Sequence, residues 1–561
     1  MSEDQDVILV SSLRRNLKAL DIVQISVGSI IGSGWLFASL FAAQIAGPAS
    51  IVTWVIAALA MLVLALNHAE LGSMFHISGG SARFAHFAFG TTAGFTIGWL
   101  AWLSGAATAP IEVEATLQYA TNYIPGLTHS VSGVTVLQPV GYVLAVLLLA
   151  FFTVLNLFAI KLMGRINSIL TWWKIGTILL VIITITVVHF DGGNFTSHGG
   201  FAPFGIKGVL SALSLGGVVF AFTGFEQAVQ LGGETKNPGR NIPIALWLSI
   251  GITTVLYIGL QIAFVGGLNP NELAKGWSSI NFNGIFGPFA ALATALGIGW
   301  LALIVYFDAI VSPGSNGLVY ITTTSRISYA LARTGYIPAL FAKIGKKSGV
   351  PFVGVISSFV IGVIFFLPFP GWQTLVGFIT SSITLMWAGV PISLGALRRQ
   401  QPHANRPFRL KAAWLLAPLG FVVANMIVYW GGWNVDWKIF VAAALGFIIF
   451  GANYLATPKD KRLDLDLKSA AWVWPWFGGS AIISYLGTFS SPDKLIFGLP
   501  HIPFGPDIIL VAAWSLLVYY IAMAVHLPAD RALHYAAVAH EEDGTDDEDF
   551  LISTKKTTLP G

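Results

Sequence analysis

The chain has 561 residues, is 55% hydrophobic and only 10% charged, and carries 19 tryptophans and 39 phenylalanines. Soluble domains carry about 25% charged residues, so this composition excludes a soluble globule and describes a protein that keeps most of its surface in lipid. A formal charge of +4 gives no argument for a nucleic-acid partner, and zero cysteines exclude disulfides, thiolate catalysis and cysteine-ligated metal centres.

Apolar runs of about 20 residues, enough to cross about 30 Å of hydrocarbon, predict fourteen spans. They fall near 21–44, 49–75, 90–120, 138–160, 166–189, 208–231 and 243–267, then 288–325, 351–369, 373–397, 412–432, 437–456, 473–489 and 506–527. The expected product is an all-α polytopic membrane protein. A polar segment 1–20 precedes a ten-span core over 21–400, four additional spans follow over 401–527, and an acidic tail closes the chain at 528–561. The run 288–325 is too long for one straight span, and its end is expected to emerge as a surface helix. Glu541, Glu542, Asp543, Asp546, Asp547, Glu548 and Asp549 make the tail a solvated segment rather than a binding element. Charge divides the loops: Arg14, Arg83, Lys236, Arg326, Arg398, Lys461 and Arg531 fall on one side, with only Lys207, Lys275, Lys438 and Lys494 on the other. Positive residues stay inside, so both termini are expected in the cytoplasm and the chain in the cell membrane.

The first run is interrupted by Gly28-Ser29-Ile30-Ile31-Gly32-Ser33-Gly34. Glycine costs about 1 kcal/mol against alanine inside a helix, and non-helical backbone survives at membrane depth only where it is buried or lines a cavity. Two readings stand for this run: a ligand site at a broken helix, or a packing groove on Gly28 and Gly32, which also form a G-x-x-x-G pair. Five spans later Gly216-Gly217-Val218-Val219-Phe220-Ala221-Phe222-Thr223-Gly224-Phe225-Glu226 repeats the anomaly. Interrupted helices in the first and sixth positions point to a transporter built from two inverted five-helix repeats.

These glycines, together with Ala69-Glu70-Leu71-Gly72, Ser78-Gly79-Gly80, Glu234-Thr235-Lys236-Asn237-Pro238 and Ser325-Arg326, resemble the signatures of amino acid–polyamine–organocation permeases. Trp35 and Ala109-Pro110-Ile111-Glu112 resemble the bacterial aspartate–proton symporter branch. Arg83 and His86 depart from the pattern, standing where many relatives have an aromatic or acidic residue. The resemblance implies a LeuT-like 5+5 core with broken helices one and six. Ile31, Gly32, Ser33 and Gly34 would then offer N–H groups to an amino-acid carboxylate, and carbonyls near Phe220, Ala221, Phe222 and Thr223 would accept its ammonium. Helix polarity supports that division, since an N-terminal end attracts anions and a C-terminal end cations. Phe220 or Phe222 is either a lid or plain packing.

Lys174, about two turns into the fifth run, either snorkels to the headgroups or projects onto the broken first span. There it would stand in for a sodium ion, as the resemblance implies, which makes protons the expected coupling ion. Glu226, Asp308 and Glu112 are the other candidates for moving protons, since intramembrane acids are functional by default. Glu112, like Glu114, faces either a relay or an outer aqueous vestibule. There is no G-x-x-x-x-G-K-[ST] loop, no catalytic constellation and no metal-ligand spacing, so no cofactor is expected. The expectation is a secondary transporter, not an enzyme, with an amino acid, protons and the lipid bilayer as its partners. The branch hint favours aspartate; the lack of a mid-span arginine keeps neutral amino acids open. Oligomeric state cannot be read from the sequence.

Overall fold

α1 (Ala19–Ile30) stops inside the glycine–serine run, and α2 (Gly34–Ala46) restarts after Ile31, Gly32 and Ser33. The computed structural model describes residues 17–77, 79–131, 134–158, 160–280, 282, 285–345, 350–490 and 500–542. α3 (Ser50–Met74), a short α4 (Phe84–Phe89) and α5 (Thr91–Ala120) come next. An antiparallel hairpin of β1 (Thr128–Val131) and β2 (Val134–Leu137) then joins α5 to the following helix. The all-α reading missed it; the consecutive β-branched residues Val134, Thr135 and Val136 are its local cause.

α6 (Pro139–Phe158), α7 (Ile160–Val188) and α8 (Gly205–Ser214) lead to the second interruption. From Leu215 to Glu226 there is no α-helix, only a tight 3-10 turn at Phe220–Phe222, before the single-turn α9 (Gln227–Gln230). The chain continues through α10 (Pro238–Gly267), α11 (Pro288–Ala295), α12 (Gly299–Arg333), α13 (Phe352–Phe365) and α14 (Trp372–Gln400). α15 (Ala413–Gly431), α16 (Trp433–Ala456), α17 (Val473–Leu486), α18 (Pro506–Val525) and α19 (Ala529–Glu542) complete it.

Burial inverts the soluble pattern. α5 is buried on every side from Thr91 to Tyr119, as a central helix must be. On α6, Val140, Val143, Leu147, Phe151 and Val154 form an exposed apolar stripe at helical spacing, facing lipid. α5 packs along α12, α3 along α10, and α1 against α7 and α10. Among the described residues, nine helical stretches are long and apolar enough to cross a membrane. α1, α8, α13 and α17 are shorter, at 12, 10, 14 and 14 residues.

Two expectations need correction. The run 288–325 is not one continuous helix: α11 is a separate short helix, the chain turns at Gly297 (φ 75°), and α12 then runs unbroken past Ser312-Pro313-Gly314. Pro313 deprives the Ala309 carbonyl of its helical donor, and the Thr116 hydroxyl of α5 supplies one at 3.1 Å. The tail is not solvated from 528. α19 buries Ala532, Ala536 and Ala539, packs on α4 and α14, and anchors Arg531 to Asp464 (2.5 Å) and Asp466 (2.8 Å). That guanidinium holds the Asp464 carboxyl below its usual range. Beside it, burial pushes the His86 imidazole down to about 3, and Tyr336 meets its Nδ1 at 2.7 Å. The acidic block from Asp543 onward lies outside the described residues.

Glu70 closes the end of α3. Its buried carboxylate binds Arg398 (2.5 Å), Arg406 (3.0 Å) and the Leu410 N–H (2.7 Å), tying the loop after α14 to the core. Breaking a buried pair by removing one partner costs about 3–5 kcal/mol. Glu70→Ala is therefore expected to lower the unfolding midpoint of the purified protein sharply; an unchanged midpoint would contradict the pairing.

Candidate functional site

The two interruptions meet. A methyl group on Gly34, the first residue of α2, would lie 2.8 Å from the Ala221 Cα. Gly224, in the left-handed region at φ 112°, brings its backbone against Ser29 and Ile30, where a Cβ would fall 2.6 Å from the Ser29 carbonyl carbon. Only residues without a side chain permit such approaches, which is why both runs are rich in glycine.

Each pole of the first break carries a side chain of the sign that its dipole favours. At the carbonyl end of α1, the Lys174 ammonium donates to the Gly28 carbonyl at 2.8 Å. Lys174 is 1% exposed and points inward, so it does not snorkel. At the amide end of α2, the Ser33 N–H donates to the Glu112 carboxylate at 2.8 Å, and the Asn316 amide donates to its other oxygen at 2.8 Å. Glu112 is fully buried in this arrangement. Gly32 makes room for this pair: a Cβ there would strike Asn316 Nδ2 at 2.2 Å and Glu112 Oε1 at 2.5 Å.

Asp308 belongs to the same cluster. Its carboxylate accepts the indole N–H of Trp173 at 2.8 Å and of Trp35 at 3.1 Å, linking α12 to α7 and α2. Asp308 and Glu112 are the acids whose charges act on Lys174. One buried cation thus faces two buried carboxylates, so a further positive charge is needed for neutrality.

Glu226 stands apart. Its carboxylate folds back onto the Gly224 N–H at 3.0 Å, capping its own turn rather than joining Lys174. The Phe220 carbonyl is not free either, since Thr223 supplies both its N–H (2.9 Å) and its hydroxyl (2.6 Å). The Ala221 and Phe222 carbonyls accept no hydrogen bond among the described residues. Phe222 is plain packing, edge-on to Trp54 and Tyr257 at 5.9 and 5.5 Å. Phe220 lies edge-on to Trp372 at 5.8 Å, and the Trp372 indole donates to the Ser33 hydroxyl at 2.8 Å. Asn316, Trp173, Trp372 and Tyr257, whose hydroxyl meets the Ile30 carbonyl at 3.3 Å, complete the site.

The sequence profile described as Amino acid permease matches residues 17–452, which hold every residue of this site. The chain belongs to the amino acid permease family. The permease is 37% identical over 517 residues to the glutamate/serine transporter AimA of Bacillus subtilis (strain 168), covering 92% of this chain and 94% of that protein. It is 37% identical over 518 residues to the aspartate-proton symporter of the same organism, covering 92% and 98%. Among solved structures it is similar to Mhp1, a nucleobase–cation–symport-1 family transporter in a closed conformation. That likeness covers 97% of both chains at a TM-score of 0.51 and 12% identity, so it speaks for the fold alone. The permease is a transporter rather than an enzyme. Ile31, Ser33, Phe220, Ala221, Phe222 and Thr223 are all buried.

Proposed function

We propose that this permease is a proton-coupled symporter for an acidic amino acid, aspartate or glutamate, working by alternating access. In this reading it has fourteen spans, both termini are cytoplasmic, and the first ten spans form two inverted five-helix units whose broken members meet at the substrate. The relatives named for aspartate–proton symport and for glutamate and serine transport support the substrate class.

The observation that carries the reading is the Glu112 carboxylate on the Ser33 N–H. Helix polarity assigns that place to the substrate's own carboxylate, and two anions cannot share it. A proton arriving on Glu112 releases the N–H, and the substrate carboxylate takes it. The substrate ammonium turns to the Ala221 and Phe222 carbonyls. One proton is thereby tied to one substrate. Lys174 holds the Gly28 carbonyl and supplies a fixed positive charge opposite Asp308, so no sodium ion is needed between α1 and its neighbours. The Trp372 ring, held on Ser33 and flanked by Phe220, closes the compartment when both breaks are engaged.

The test is a thermal-shift screen of the purified permease against the twenty amino acids. A ligand bound only by the folded state stabilises it by about 2.7 kcal/mol at a hundredfold excess over Kd. Aspartate and glutamate are expected to raise the melting point saturably. A rise with neutral amino acids alone would make it a neutral permease, as the lack of a mid-span arginine would then explain. No rise with any of them would contradict the site.

A further inference from the structure

The single-turn α9 follows directly on the second helix break, and the stretch that joins α3 to α4 lies against it. Val229 of α9 is fully buried, caught between two glycines of that stretch. A Cβ on Gly72, near the end of α3, would fall 2.9 Å from both Val229 methyl groups, and one on Gly80 would fall 2.9 Å from the Val229 carbonyl oxygen. Just past α9, Gly232 sits as closely on His76, where a Cβ would lie 3.2 Å from the His76 Cα. α9 packs in turn on α1. The stretch from Gly72 to Phe89 thus lies over α9 and, through it, over both interrupted helices. Opening the compartment on this side requires the stretch to move off α9.

The last helix, α19, grips the same stretch. Its His540 ring stands 6.5 Å from that of Phe75 and 6.3 Å from that of His76, and its Tyr535 ring lies 4.3 Å from that of His86 in α4. The Tyr535 hydroxyl donates to Asp466 at 2.9 Å, and that carboxylate also accepts the Thr91 N–H, at the start of α5, at 3.1 Å. Just before α19 begins, the Leu527 N–H donates to the Ala88 carbonyl at 3.1 Å. The Gln400 amide of α14 donates to the Ala88 and Leu527 carbonyls, each at 2.8 Å. None of these groups belongs to the transport site.

We propose that α19 is an autoinhibitory latch. Docked as it is here, it keeps the α3–α4 stretch on α9 and restrains opening of the compartment on that side, and its release lets the stretch lift. The inference rests on the alternating-access reading, but not on which amino acid or ion is carried. The fastening has two parts. Behind, Ala532, Ala536 and Ala539 are buried; at the edge, Arg531 bridges Asp464 and Asp466. Exposed ion pairs contribute little one by one, a strength suited to a contact that has to let go.

Because the chain has no cysteine, a single introduced thiol reports the opening. In Val229→Cys the thiol is shielded while the stretch sits on α9, and it meets N-ethylmaleimide only when the stretch lifts. Alkylation of the purified full-length chain is expected to run about tenfold faster when Arg531→Gln is added, and about twofold faster with Asp464→Asn, which removes only the exposed partner. Asp464→Asn decides alone should Arg531→Gln fail to fold. Ala424→Cys, at a fully buried position on α15, is the control, and its rate is expected to be the same with and without Arg531→Gln. A Val229→Cys rate that neither variant raises overturns the latch. So does an acceleration matched at the control, which would mean general loosening. The assay needs neither substrate nor a proton gradient, so a thermal-shift screen that contradicts the transport site leaves it standing.

Discussion

Lys174→Ala is expected to abolish uptake driven by a pH gradient in proteoliposomes, a loss of at least about a hundredfold, while substrate binding stays measurable. The ammonium is the hydrogen-bond donor to the Gly28 carbonyl and, among the described residues, the one cation acting on Asp308 and Glu112. Removing it leaves two buried carboxylates with no positive neighbour, a change of about 3–5 kcal/mol for a broken buried pair. The site responds by holding protons on both acids, and a permanently protonated Glu112 no longer distinguishes the loaded from the empty state. Binding survives because Lys174 touches the helix end and not the amide that receives the substrate carboxylate. Uptake at the native rate under a pH gradient would refute the assignment.

The second large effect is at Gly32. A single methyl group there would fall 2.2 Å from the Asn316 amide nitrogen and 2.5 Å from the Glu112 carboxylate, so even alanine forces that pair apart. Gly32→Ala is expected to weaken substrate binding at least about tenfold, equivalent to about 1.4 kcal/mol, and Gly32→Leu to eliminate it. Gly176, on α7, has nothing within 4 Å of its absent side chain, so Gly176→Ala serves as the control and should bind normally. Titration calorimetry on the purified proteins gives the comparison. Native affinity in Gly32→Ala would place the substrate elsewhere.

Much of this site is legible in the sequence because glycine and serine in a lipid-spanning run have few physical uses. The interruption at Ile31–Ser33 and the inward reach of Lys174 both follow from the cost of exposing backbone or charge to hydrocarbon. The length of the second interruption is less visible: a 3-10 turn at Phe220–Phe222 is held by Thr223 and Glu226, side chains whose bonds return to their own segment. The same local bonding takes Glu226 out of the charge cluster, which no spacing announces. Asn316 had a signal. Asp308, Ser312 and Asn316 recur every four residues, a polar stripe on an apolar helix, and the structure turns both ends of that stripe onto the cluster. Trp173 and Trp372 had none, because a membrane protein with 19 tryptophans gives no hint which indoles bond inward. α19 was obscured by the acidic block beyond it, whose charge dominates the composition of the tail.

The most direct test counts protons. Substrate binding to the purified permease in weakly buffered solution, followed with a pH indicator, reports protons taken up as the ligand seats. If the substrate carboxylate replaces an ionised Glu112 on the Ser33 amide, aspartate binding draws in about one proton by linkage, and Glu112→Gln binds with none. Aspartate binding that moves no protons in the native chain, or proton uptake undiminished in Glu112→Gln, would contradict the account.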